Sequence, residues 1–166
     1  SNTEIFASDA KIDKAFKFNG TSEYVNCNQN FQTTFRSAFS ISGWIKPTDG
    51  KPAVNEKIFG THDDTGNNDR VYIQVTTTGK IRCRYEQDGT PATFTTDSAF
   101  TDGATDWAHF VINVNSTEIS AYVNAVSSGT PSSMAAITMG SYANTYNAAL
   151  GAVNDTGVID EHYAGI

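Results

Sequence analysis

The stretch RVYIQVTTTGKIRCRYE, residues 70–86, constrains the fold more than any other. Val71, Ile73 and Val75 recur at every second position, as do Ile81, Cys83 and Tyr85, with TTTGK between the two sets. A period of two puts each set on one face of an extended strand. A polar, glycine-bearing link between two such runs predicts an antiparallel hairpin with one apolar side.

The design recurs along the chain. In WAHFVINVNSTEISAYVNAV (107–126), Phe110, Ile112 and Val114 point one way, the turn falls at NST, and Ile119, Ala121 and Val123 return. In FSISGWIK (39–46), Phe39, Ile41 and Ile45 share a parity, leaving Ser40, Ser42, Trp44 and Lys46 on the other. Gly, Asn, Asp and Pro clusters separate these runs at roughly the 8–12-residue spacing of a sandwich. AFKFNG, SEYVNC, EKIFGT and VIDEHYAGI read as further strands, and only YNAAL (146–150) suggests a helical turn. With no linker, repeat or shift of composition, residues 1–166 are expected to form one all-β domain.

Charge narrows the partners. Eleven Lys and Arg face eighteen Asp and Glu, a net charge of −7, so the chain lacks the basic footprint of a nucleic-acid binder. No run approaches the roughly 20 apolar residues of a membrane span. Cys27 and Cys83 have no metal-ligand spacing, and both are expected to be buried free thiols.

Four segments carry a family likeness: FKFNGTSEYV, FSISGWIKPTDG, DWAHFVINVNSTEISAYVNAV and GVIDEHYAGI. In this order, over nearly the whole chain, they resemble the laminin G-like and pentraxin-like branch of the concanavalin A-like lectin/glucanase superfamily. The resemblance implies a two-sheet antiparallel jelly-roll sandwich, its last strand pairing beside the first, with ligands on the concave face or the loop rim. It also implies that Trp44 supports the sheet. Two departures stand out: Asn19 replaces a frequent Asp, and YVNAV lacks the usual Asp-Gly turn.

Candidate sites follow from residue chemistry. THDDTGNNDR gathers Asp63, Asp64, Asn67, Asn68 and Asp69, which read first as a solvated loop of turn formers and second as hard oxygen donors suited to Ca2+ or sugar hydroxyls. Tyr142, Asn144 and Tyr146 combine aromatic faces with planar amides, which suit a sugar or the packing of a long loop. The resemblance sets Asp160 beside the Asn19 turn as a second calcium position. Catalysis is not expected. No strand carries the spaced carboxylates of a glucanase, Asp160 and Glu161 fall on opposite faces of one strand, and His62, His109 and His162 are scattered.

The expected function is a non-catalytic recognition module for carbohydrate or another surface ligand, extracellular or on a virion surface. A virion decoration or tail-fibre protein, meeting neighbouring subunits of a large assembly, is the alternative. A glycoside hydrolase or lyase with loop-borne carboxylates is the third.

Overall fold

A computed structural model describes the chain apart from residues 1–5, 8–9, 67 and 98–99. Its strands are β1 (Phe6–Ala7), β2 (Ala15–Phe16), β3 (Phe18–Asn19), β4 (Val25–Asn26), β5 (Phe39–Ile45), β6 (Glu56–Asp63), β7 (Asp69–Val75), β8 (Ile81–Gln87) and β9 (Thr90–Thr95). They continue as β10 (Ala108–Val114), β11 (Glu118–Val123), β12 (Val126–Ser127), β13 (Ser132–Ser133), β14 (Ala149–Leu150), β15 (Val153–Asp155), β16 (Val158–Asp160) and β17 (Ala164–Gly165). Among the described residues helix is confined to α1 (Gln32–Phe35) and a 3-10 turn at Met139–Ser141, and no helix there is long and apolar enough to cross a membrane.

The strands form two main sheets. The smaller runs β12–β11–β10–β5, with β13 beside β11; the larger runs β16–β15–β6–β7–β8–β9, with β14 joining β4 to β6. Pairing is antiparallel except where β15 lies parallel to β6, setting Asn154 beside Thr61 and Asp155 beside His62. The alternation read from the sequence decides which sides meet. Phe110, Ile112, Val114, Ile119 and Ala121 are buried from the smaller sheet, and Val71, Ile73, Val75, Ile81, Cys83, Tyr85 and Phe94 from the larger. Each large side chain removed from water there contributes about 1.5–3 kcal/mol.

The expected pairing of the last strand with the first is present: β17 lies against β3, with Ala164 opposite Asn19 and Gly165 opposite Phe18. The closing segment is nevertheless broken. β16 ends at Asp160, and Glu161 takes a left-handed conformation (φ 51°), so the two carboxylates do not alternate along one strand as expected. The helical turn expected at YNAAL is also absent. Ala149 and Leu150 form β14 instead, because pairing with both β4 and β6 outweighs the helix propensity of alanine. α1 begins after Phe31 (φ 53°) with no side-chain cap, so it carries no start signal.

Both cysteines are free, but only Cys83 is fully buried; Cys27, just past β4, is half-buried. Trp44 stands opposite His109 across β5 and β10, their ring centroids 5.0 Å apart, and Lys11 Nζ lies 4.9 Å from the Trp44 ring. The indole remains 40% exposed, so these two neighbours cover it only in part.

Candidate functional site

The rim loops do come together, but mostly to hold each other down. Asp69 is buried at the start of β7, where its carboxylate accepts the backbone N–H of Asp88 at 2.8 Å and that of Ala143. Burial pushes its carboxyl above the usual range, and the two N–H donors pull it partly back. Asn144, also buried, donates to the Asp69 carbonyl at 2.9 Å and accepts from Tyr146 N at 2.7 Å. Tyr142 is fully buried, its ring 5.5 Å from Phe35 and 5.6 Å from Tyr85. Asp63 is buried and accepts from Thr65 N at 2.9 Å. All four of these side chains are engaged in packing and turn contacts within the chain. Asp64 and Asn68 face solvent and Tyr146 is half-buried, while Asn67 lies outside the described residues.

At the second expected position Asn19 is engaged in a local turn. Asn19 Oδ1 accepts from the backbone N–H of Thr21, Ser22 and Glu23 at 2.9, 2.9 and 3.2 Å, closing the turn after β3. Asp160 and Gly20 border one depression of about 640 Å³.

A richer constellation lies on the core-distal face of the larger sheet, and the sequence reading passed over it. Register sets Arg70 opposite Glu86, Tyr72 opposite Arg84 and Gln74 opposite Arg82, with Lys57 beside Gln74 from β6. These are the residues of the opposite parity in the 70–86 hairpin. Alternation was the available signal: once Val71, Ile73 and Val75 are assigned inward, Arg70, Tyr72 and Gln74 must share the other face.

This face is braced. Glu86 Oε2 accepts from Arg84 Nε at 2.8 Å, so this buried carboxylate orients one guanidinium group, and it pairs at 2.8 Å with Arg70 Nε, which makes no hydrogen bond. Lys57 Nζ donates to Gln74 Oε1 at 2.7 Å, pairs with Glu161 and sits 4.2 Å from the Tyr72 ring centroid. Burial lowers the Lys57 pKa, with Glu161 opposing that shift. Gln74 Nε2 and Arg82 Nε are buried donors with no hydrogen-bond partner. A cavity of about 220 Å³ has Lys57, Arg70 and Tyr72 on its walls, with Asp155, Asp160 and Glu161 also lining it. Donors, acceptors and a tyrosine ring thus border one small polar hollow, the composition that suits a polyhydroxylated ligand carrying a carboxylate.

Comparison with known proteins agrees with the architecture. Residues 19–165 match a family model described as the concanavalin A-like lectin/glucanases superfamily. No curated protein sequence matches the chain significantly. Among solved structures, the fold is similar to the Ruminococcus gnavus IT-sialidase CBM40 bound to alpha2,3 sialyllactose (TM-score 0.68, 15% identity, covering 90% of this chain and 84% of that one). It is also similar to the NanB sialidase from Streptococcus pneumoniae (TM-score 0.68, 17% identity, 91% of this chain), of whose length it spans 24%. Domains LG4-5 of the mouse laminin alpha1 chain give a TM-score of 0.62 at 14% identity, covering 92% of this chain and 42% of theirs. At such identities the likeness is one of fold.

Proposed function

The chain belongs to the laminin G-like family of the concanavalin A-like lectin/glucanases superfamily, and from that premise we propose that it is a non-catalytic module recognising an acidic glycan through the core-distal face of its larger sheet. The observation that carries the reading is the clustering of Lys57, Arg70, Arg82 and Arg84 around Tyr72 on one sheet face of a chain whose net charge is −7. Cations are scarce in this sequence, and although Glu86, Glu161 and Asp64 pair with three of these four, their concentration on one surface offers guanidinium N–H groups to a carboxylate.

The mechanism is recognition by a preformed surface. A guanidinium can take a carboxylate through two parallel N–H bonds, and Glu86 fixes Arg84 before any ligand arrives, which reduces the ordering cost of binding. Tyr72 offers an aromatic face, opposite the one under Lys57 Nζ, to the C–H side of a sugar ring, and the Asp155, Asp160 and Glu161 wall accepts from its hydroxyls. Such a shallow site binds weakly alone and gains strength from multiple copies. A terminal sialic acid, the sugar carried by the ligand of the similar carbohydrate-binding module, has the required carboxylate and hydroxyls. A module of this kind works where glycans are displayed, outside the cell.

Titration calorimetry with 3′-sialyllactose and with lactose tests the reading. Binding of the sialylated sugar alone is expected, with Arg84→Ala weakening it by about tenfold or more in protein that circular dichroism shows to be folded at the assay temperature. Equal affinity for lactose, or no response to Arg84→Ala, would overturn it.

A further inference from the structure

We propose that His62, Asp64 and Asp155 form a binding site for a divalent transition-type cation, of which Zn2+ is the best match. The site comes from the parallel pairing in the fold. β15 lies alongside β6 with Asp155 in register with His62, so both side chains leave the sheet on the same side. Asp64 follows two residues after His62, just past the end of β6, and returns its carboxylate to the same place. One donor atom from each of the three residues lies within 4.8 Å of the others. His62 Nε2 is 2.6 Å from Asp64 Oδ1, and His62 Nδ1 is 3.2 Å from Asp155 Oδ1.

Proximity alone would describe an ion pair, but the directions are wrong for one. His62 Nε2 and Asp155 Oδ1 are buried atoms that make no hydrogen bond despite these short separations. Groups bonded to each other aim along the N–H axis; groups that share a cation aim at a third point and stand near one another off that axis. The His62 side chain is only 10% exposed, so water offers its orphaned nitrogen little relief. A cation taken up at His62 Nε2 beside Asp64 would satisfy the orphaned nitrogen, and Asp155, which stands at Nδ1 of the same ring, would turn in to complete the set.

The donor set selects the class of ion. One imidazole and two carboxylates suit Zn2+ and its neighbours, whereas Ca2+ prefers six to eight oxygens and has little use for a ring nitrogen. Two carboxylates balance the charge of a divalent ion, and three protein ligands leave coordination positions open. Arg70 Nη2, 3.2 Å from the same Asp64 oxygen, competes for that carboxylate and limits affinity. His62 and Asp155 also line the hollow described above, yet the metal site rests on its own atoms and stands whether or not that face takes a glycan.

The test is a Zn2+ titration of chelator-treated full chain at neutral pH, read by calorimetry and by thermal shift. One equivalent should bind and raise the melting temperature. Because His62 is buried, Asp64→Asn is the decisive variant: Asp64 is 51% exposed, and its loss leaves the core untouched. Asp64→Asn and Asp155→Asn should each weaken Zn2+ by at least the roughly 10–100-fold that follows loss of an outer-shell partner. His109→Ala and His162→Ala should bind as the parent does, and a large excess of Ca2+ should not compete. Absence of Zn2+ binding, affinity unchanged in both Asp variants, or displacement by Ca2+ would each overturn the assignment.

Discussion

Ala125 occupies a backbone conformation that a side chain resists. With Asn124 (φ 50°) it forms the two-residue turn between β11 and β12, where Val123 pairs with Val126, and its own φ is 65°. The sequence lacks the Asp-Gly of a favoured hairpin turn here, and that departure suggested a weakened turn. The turn forms all the same, because Asn tolerates the left-handed region and the Val123–Val126 pairing holds Ala125 in it. The strain is a reserve of stability. Ala125→Gly should raise unfolding stability by about 0.5–1 kcal/mol, since relief of the left-handed strain exceeds the added chain entropy of glycine. For a chain of this size that is roughly 1–4 °C in melting temperature, measurable by calorimetry. A lower melting temperature would show that Ala125 makes contacts worth more than the strain.

The elements that could be read in advance are those with one clean apolar face. β5, β7, β8, β10 and β11 follow the predicted parity because every second residue enters the core. β6 could not be read this way. It is buried on both sides, by the core on one and by Lys57, His62 and their charged neighbours on the other, so its residues show no alternation of burial. The site was partly hidden by the same bias. Attention to the inward parity of the 70–86 hairpin left its outward arginines unread, and the histidines looked scattered because the groups beside His62 are aspartates brought in by a distant strand. The link of that hairpin is legible down to one atom. Thr76 N donates to Lys80 O at 2.8 Å and Gly79 N to Thr76 O at 2.9 Å, closing the turn with Gly79 at φ 74°. A Cβ on Gly79 would sit 2.2 Å from the Phe100 carbonyl oxygen, which is backbone and cannot swing aside. Gly79→Ala should therefore destabilise by about 2 kcal/mol or more, combining left-handed strain with displacement of the 100–101 segment. That is roughly 4–8 °C in a thermal melt, and a loss under 1 °C would mean the segment yields freely.

At the scale of the whole molecule, the sandwich is closed around buried acids that are weak in water and weaker still inside. Burial raises the pKa of Tyr85, Tyr142 and Tyr163 above the ordinary tyrosine value and pushes the Cys83 thiol up to about 12. Well below pH 8 all four groups are protonated in the folded and the unfolded chain, and stability does not depend on them. As pH rises past 9 for the thiol and past 10 for the phenols, the unfolded chain ionises while the folded one holds its protons, so the folded state binds more protons and stability falls. Each group withdraws about 1.4 kcal/mol per pH unit until its folded value is reached. Lys57 works the other way: its lowered pKa lets the folded state gain stability as pH climbs towards 10.5, but it is one group against four. Melting temperature should therefore decline steeply above pH 10. Tyr163→Phe isolates one contribution, because its hydroxyl is buried without a hydrogen-bond partner and its removal strips no bond from the fold. That variant should match the parent at pH 8 and lose stability less steeply between pH 10 and 11.5. Identical slopes would mean that Tyr163 reaches solvent, and that the join of β17 to β3 opens well before the sandwich unfolds.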